Sequence, residues 1–317
     1  MKSLWLEERT LSLRDIDRPI PAPGEALVRV RLAGVCATDL ELVKGYYPYS
    51  GVPGHEFVGE IVEAPDAPER VGERVVGEIN AVCGTCRTCH RGHPRHCEKR
   101  TVLGIVNRNG AFAELLTLPV ANLLRVPDHV PDEAAVFTEP LAAALQIRAQ
   151  VPIGPGDRVL VIGAGRLGQL IARSLVPSGA RVEAIARHER QRELLRAAGV
   201  HVISEEDLPL RAVDVVIEAT GSPSGFALAR KAVRPRGTIV LKSTYAGRLE
   251  IDAAPIVVDE ITIVGSRCGE FAPALQMLDA GEIDPRDLID AEMPLSDGLA
   301  AFVRAGRPGA LKILLRP

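Results

Sequence analysis

The chain has 317 residues, 46% hydrophobic and 25% charged, with 38 basic residues against 41 acidic ones for a net charge of -3. At roughly 100–200 residues per domain, this length suggests two domains or one large one, and the composition excludes disorder as the main state. The charge balance excludes the basic excess of a nucleic-acid protein. No apolar run approaches the ~18 residues of a membrane span. The opening MKSLWLEERTLSLRD lacks the apolar core of a secretory leader, so a cytoplasmic protein with no nucleic-acid or membrane partner is expected.

Taken in chain order, the first ~140 residues read as short strands and loops punctuated by Gly and Pro. The strands expected there are Leu27–Leu32, Phe57–Glu63, Arg74–Glu78 and Phe112–Leu116. The texture changes near Glu139. From there apolar strands alternate with helices: strand Arg158–Ile162, helix Arg166–Leu175, strand Arg181–Ala186 and helix Glu189–Ala198. Further strands are expected at Val200–Ile203, Val213–Ile217, Thr238–Leu241 and Ile261–Val264. Such alternation implies a parallel sheet with both faces covered. A helix, Ala272–Asp279, and a strand, Leu311–Leu315, come after these, and this tail is expected to return to the first domain. The expected architecture is α/β: a β-rich domain of residues 1–139 and 267–317, and a doubly wound domain of residues 140–266.

Arg158-Val-Leu-Val-Ile-Gly163-Ala-Gly165-Arg166-Leu167-Gly168 is a strand entering G-x-G-x-x-G and then a helix. That context makes it a dinucleotide turn. Gly163 permits the tight turn, Gly165 the approach of a pyrophosphate, and Gly168 close helix–strand packing. The free N–H groups of the helix N-terminus then face the phosphates. At the end of the second strand, Ile185-Ala186-Arg187-His188 lacks the acid that NAD sites use for the ribose hydroxyls. A guanidinium at Arg187 can pair with a 2′-phosphate, which favours NADP(H) over NAD(H).

Cys83-Gly-Thr-Cys86-Arg-Thr-Cys89-x7-Cys97 offers four thiolates in one loop. Four thiolates fill a tetrahedral zinc shell and leave no open position, so this site staples a loop. An iron–sulfur cluster also takes four cysteines, but the run lacks the x3-then-Pro ending of bacterial ferredoxins. His90, His93 and His96 read as solvated loop residues. Upstream, Cys36-Ala-Thr38-Asp39 and Gly54-His55-Glu56 carry natural ligands for a second, open zinc. The third ligand is either Glu56 or the distant Glu139.

In this order the motifs resemble the zinc-containing medium-chain dehydrogenase/reductase superfamily. They are similar in particular to its sorbitol, threonine and glucose dehydrogenase branch. The resemblance spans almost the whole chain. It implies a GroES-like catalytic domain, a Rossmann cofactor domain and an active site in the cleft between them. It implies two zincs per subunit: a catalytic one on Cys36 and His55 with Glu56 or Glu139, and a structural one on Cys83, Cys86, Cys89 and Cys97. It gives Asp39 the orientation of the ligand histidine and Thr38 the outward transfer of the substrate proton. It puts Thr220 and Gly221 near the adenosine, Ser266 and Arg267 beside the nicotinamide, and Lys312 on the pyrophosphate. Where alcohol dehydrogenases often carry a relay histidine, this chain has Leu40-Glu41, which makes Glu41 the candidate there. Tyr46 and Tyr47, in a chain only 3% aromatic, are candidates for the substrate pocket. The expected activity is hydride transfer between an alcohol or polyol, or its carbonyl, and NADP(H), by a homodimer or homotetramer. The alternatives are an NAD-dependent enzyme of the same family and a non-enzymatic dinucleotide-binding redox sensor.

Overall fold

The computed structural model describes residues 1–244 and 248–317. They form two compact units: residues 1–139, 270–307 and 312–317, and residues 140–269 and 308–311. Residues 267–269 and 308–311, expected in the first domain, group with the second. Gly269 packs on the Ala142 carbonyl, and Leu311 accepts the Arg166 Nε–H at 2.7 Å.

The first unit is built on a seven-stranded sheet. Its path runs Ile289–Pro294, Lys312–Arg316, Glu25–Gly34, Glu56–Glu63, Arg74–Gly77, Leu123–Arg125, with Leu115–Pro119 also pairing with Glu25–Gly34. The central strand shows why. Val28, Val30 and Leu32 are buried while Arg29 and Arg31 are exposed, the two-residue period of a sheet with one covered face. The register places Gly34 opposite Glu56 on one side and opposite Leu314 on the other, so three strands meet at this glycine. The expected strand Phe112–Leu116 begins later, at Leu115. The backbone of Gly110, Ala111 and Phe112 is instead committed to residues 52–54, with N–H···O distances of 2.6, 2.9 and 3.0 Å.

The second unit is a six-stranded, wholly parallel sheet. Its strands are β1 (Arg158–Ile162), β2 (Arg181–Ile185), β3 (His201–Ile203), β4 (Val213–Glu218), β5 (Val233–Leu241) and β6 (Thr262–Gly265). The order is β3-β2-β1-β4-β5-β6, the doubly wound arrangement with a switch point beside β1. Helix α1 (Arg166–Leu175) follows β1, and α2 (Glu189–Ala197) follows β2. Both β1 and α1 span the residues expected from the sequence. Among the described residues, no helix is long and apolar enough to cross a membrane.

Candidate active site and metal centres

Cys36 caps the helix Ala37–Val43, and three residues on, Asp39 reaches back so that its Oδ2 accepts the Cys36 N–H at 2.8 Å. The other carboxylate oxygen approaches His55 Nδ1 at 3.3 Å, an ionic approach rather than a well-aligned hydrogen bond. Asp39 is fully buried, and His55 and Glu56 nearly so. Their donor atoms converge: ligand atoms of Cys36, His55 and Glu56 all lie within 4.8 Å of one another. Burial opposes charge on the His55 ring, but the Asp39 carboxylate and the Cys36 sulfur outweigh it and hold the ring well above its ordinary 6.5. The cluster thus gathers a thiol, an imidazole and a carboxylate in a largely desolvated pocket.

Glu56 is divided between two environments. Its Oε2 bonds to the Lys312 ammonium, and both side chains are 1% exposed. Its Oε1 is buried with no hydrogen-bond partner. Gly34, between the strands that carry Glu56 and Lys312, makes the pair possible, because a Cβ there would collide with the Glu56 carboxylate. A buried carboxylate oxygen left without a donor, beside a thiol and an imidazole, is what a metal ligand looks like before the metal arrives. Zinc fits this donor set. Glu139, at the start of the helix Thr138–Gln150, is buried nearby but is not part of the converging trio. Burial pushes its carboxyl up to about 7; Glu56 and Glu78 add to the rise, and His55 and Lys312 oppose it.

Lys312, expected on the pyrophosphate, stands at the start of its strand in the first unit. The side chain is buried in the first unit, held by Glu56 and stacked 5.6 Å from the Phe137 ring centroid. Thr38 sits half-buried in the first turn of its helix. Glu41, the candidate at the relay position, is engaged by Lys44 at 2.7 Å. Tyr46 and Tyr47 are about two-fifths exposed. Their neighbour Tyr49 donates its hydroxyl to the carbonyls of Val52 and Arg108, and burial raises its pKa, with Asp39 adding to the rise.

In the four-cysteine loop, the sulfurs of Cys97 and Cys83, Cys86 and Cys89, and Cys86 and Cys97 lie 3.4, 3.5 and 3.8 Å apart. A tetrahedron with Zn–S bonds of ~2.3 Å has edges of about 3.8 Å, so zinc fits here too. The N–H groups of Cys83 and Lys99 point at Cys97 Sγ, at 3.4 and 3.3 Å. The Thr85 backbone, with help from Cys97, pulls Cys83 down to about 6, whereas desolvation and the neighbouring sulfurs push Cys89 up to about 12. Four thiolates crowded this closely need a cation to stay ionised together. None of the six cysteines is in a disulfide.

In the second unit, Gly163 turns the chain with φ +100°, a conformation that side chains resist. Gly168 packs so tightly on the Gly163 carbonyl that any Cβ would clash. A Cβ at Gly165, by contrast, would meet nothing within 4 Å, leaving an open cradle at the N-terminus of α1. A pyrophosphate fits this cradle. Arg166 is tied to the Leu311 carbonyl, and Leu167 is half-buried. At the end of β4, Thr220 donates its hydroxyl to Glu218 Oε1 at 2.5 Å, and the Gly221 N–H donates to Ser243 Oγ at 2.9 Å. Sequence reasoning missed Lys242, which is buried at the end of β5. It donates to Ser266 Oγ at 3.2 Å and to the Arg267 carbonyl at 2.5 Å, binding the ends of β5 and β6 together. It also missed Gln169, whose amide bonds the carbonyls of Ala164 and Gln191 and so ties α1 to the turn and to α2. A buried Lys and a buried Gln in a cofactor domain were the available signals, but burial is not visible in the sequence. Arg187, at the end of β2, is exposed and paired with Glu205 at 3.4 Å.

Comparison with known proteins points to one family. Residues 22–128 match the alcohol dehydrogenase GroES-like domain, and residues 167–280 match the zinc-binding dehydrogenase domain. The chain is 29% identical to sorbitol dehydrogenase of Halalkalibacterium halodurans, over 95% of this chain and 94% of the relative. It superposes with a TM-score of 0.91 on a short chain alcohol dehydrogenase of E. coli CFT073 complexed with NADH, at 30% identity, covering 100% of this chain and 99% of that one. A zinc-binding dehydrogenase of Sinorhizobium meliloti 1021 bound to NADP gives the same TM-score and coverage at 27% identity.

Proposed function

The chain belongs to the zinc-containing medium-chain dehydrogenase/reductase family, whose members are NAD(P)-linked dehydrogenases of CH–OH donors, and on that premise we propose a zinc-dependent enzyme that passes a hydride between an alcohol or polyol and NADP. The observation that carries this reading is the convergence of Cys36, His55 and Glu56, together with a buried Glu56 oxygen that has no hydrogen-bond partner. We assign the catalytic zinc to these three residues and a second, structural zinc to Cys83, Cys86, Cys89 and Cys97. We assign the dinucleotide to the Gly163–Gly168 turn. Thr220, Gly221, Ser266 and Arg267, all at strand ends on the same side of the sheet, complete its surroundings. NADP is favoured over NAD because Ala186 leaves no carboxylate where NAD sites place one, and Arg187 offers a guanidinium in its stead. We further propose a homodimer or homotetramer, as the family resemblance implies.

When bound, zinc supplies Lewis acidity toward a substrate oxygen, and the nicotinamide accepts or donates the hydride. The protein's own residues supply position and charge. Asp39 fixes the His55 ring through Nδ1 and the Cys36 backbone through its N–H, so two ligands are oriented by one carboxylate. Lys312 neutralises one oxygen of Glu56 and leaves the other for coordination. Thr38 carries the substrate proton outward through its hydroxyl. Glu139, with its carboxyl raised to about 7, can hold a proton near neutral pH beside this cluster.

The test is absorbance at the reduced-nicotinamide band, using zinc-loaded enzyme with alcohols, polyols, sugars, threonine and the matching carbonyls, each with NADP and with NAD. Turnover of one CH–OH class with an NADP preference is expected. A strong NAD preference overturns the cofactor assignment. Cofactor binding with two zincs and no turnover across the panel favours a sensor over an enzyme.

A further inference from the structure

The end of β2 carries more than the arginine that favours NADP. Strands β2 and β3 are parallel, with Glu183 opposite His201, Ala184 opposite Val202 and Ile185 opposite Ile203. Carried two residues past the last pair, this register sets Arg187 level with Glu205. The side chains meet there, Nε to Oε1 at 3.4 Å, with Arg187 67% and Glu205 45% exposed. The strand end itself is held from elsewhere. Arg192 donates to the Ala186 carbonyl at 2.9 Å, and the nearby acid Glu189 is occupied by Arg192 and Arg196. Glu205 is thus the carboxylate that reaches Arg187, and it comes from just past the neighbouring strand β3 rather than from the end of β2.

We propose that Glu205 is a specificity-determining residue: an internal counter-anion that a 2′-phosphate must displace from Arg187, and so a brake on NADP preference. This rests on the reading that Arg187 receives the 2′-phosphate. Binding NADP exchanges one anion for another on the same guanidinium and leaves a carboxylate beside a phosphate. Binding NAD requires no exchange. Because the pair is exposed, the brake is weak: a pair of this kind holds a preference of about fivefold at most, and repulsion of the phosphate adds to it. The chain is therefore built to use both dinucleotides, with NADP ahead by less than Arg187 alone would give.

The test is calorimetric binding of NADP, NAD and adenosine 2′,5′-bisphosphate to the zinc-loaded wild type, Glu205→Gln and Arg187→Ala. Unchanged melting temperatures would establish that both exposed substitutions leave the fold intact. In Glu205→Gln, the dissociation constants of NADP and the bisphosphate should fall roughly three- to tenfold, with NAD changed less than twofold. In Arg187→Ala, NADP and the bisphosphate should weaken selectively. If Arg187→Ala leaves the NADP-to-NAD ratio unchanged, the reading of Arg187 fails and the proposal with it. If Arg187→Ala lowers that ratio but Glu205→Gln does not raise it, the reading stands and the proposal alone is overturned. Selective weakening of NAD by Glu205→Gln also overturns it, since Glu205 would then be a ribose acceptor.

Discussion

The two sulfur-bearing clusters of the first unit solve opposite problems. The four-cysteine loop draws all its donors from residues 83–97, three of them half-exposed, and every donor is a thiol. The other cluster joins Cys36 to His55 and Glu56, two of the three nearly completely buried, with three chemically different donors. A closed set of like ligands leaves nothing for a substrate to bind and spends the metal on holding a loop. A mixed set of three leaves a position open. The difference also shows in the supports. The loop sulfurs lean on local backbone N–H groups, whereas the buried trio is braced by Asp39 and by Lys312, 256 residues from Glu56.

The sharpest way to break this contrast is Cys36→Ser. Turnover should fall by at least about a thousandfold while dinucleotide binding and melting temperature change little, read by steady-state kinetics, calorimetry and thermal unfolding. Retained activity in this variant would remove the trio from the chemistry. Next in size is Lys312→Met, which strips a buried carboxylate of its counter-charge. The zinc-free protein should lose about 3–5 kcal/mol of stability by denaturant unfolding, and zinc should restore part of it by supplying a cation to Glu56. A loss that zinc does not touch would mean that Glu56 is only a structural ion-pair partner. The smallest effect is expected in the other cluster. Cys89→Ala should lower the melting temperature by roughly 5–10 °C while kcat at 20 °C stays within about threefold. If kcat collapses instead at an unchanged melting temperature, the two metals have exchanged roles.

Much of the second unit could be read ahead of the structure because its determinants are local. The apolar run Arg158–Ile162 and the turn Gly163–Gly168 specify a strand, a bend and a helix within twenty residues of one another. The ligand types Cys36, His55 and the four loop cysteines were legible for a similar reason, since few other residues offer that chemistry. Long-range partners were not. Lys312 reads as a basic residue near a strand start, and only the sheet order, with Glu25–Gly34 between the strands that carry Lys312 and Glu56, reveals its carboxylate. Glu205 is likewise anonymous until β2 and β3 are set in register. Phe112 has the composition of a strand residue, yet its backbone buttresses residues 52–54, a choice made by tertiary contacts rather than by propensity.

The discontinuity of the first unit has a consequence for how the protein is made. Glu56 emerges from the ribosome early, but the strand Lys312–Arg316 is translated only after the whole of residues 140–269. At ~5–20 residues per second, the interval from Glu139 to Lys312 lasts roughly ten to thirty-five seconds. From Gly269 on, the second unit has all but its last few residues, while the first still lacks two adjoining sheet strands and the ammonium opposite Glu56. The nascent chain therefore completes its cofactor fold before its metal pocket, and the pocket closes last.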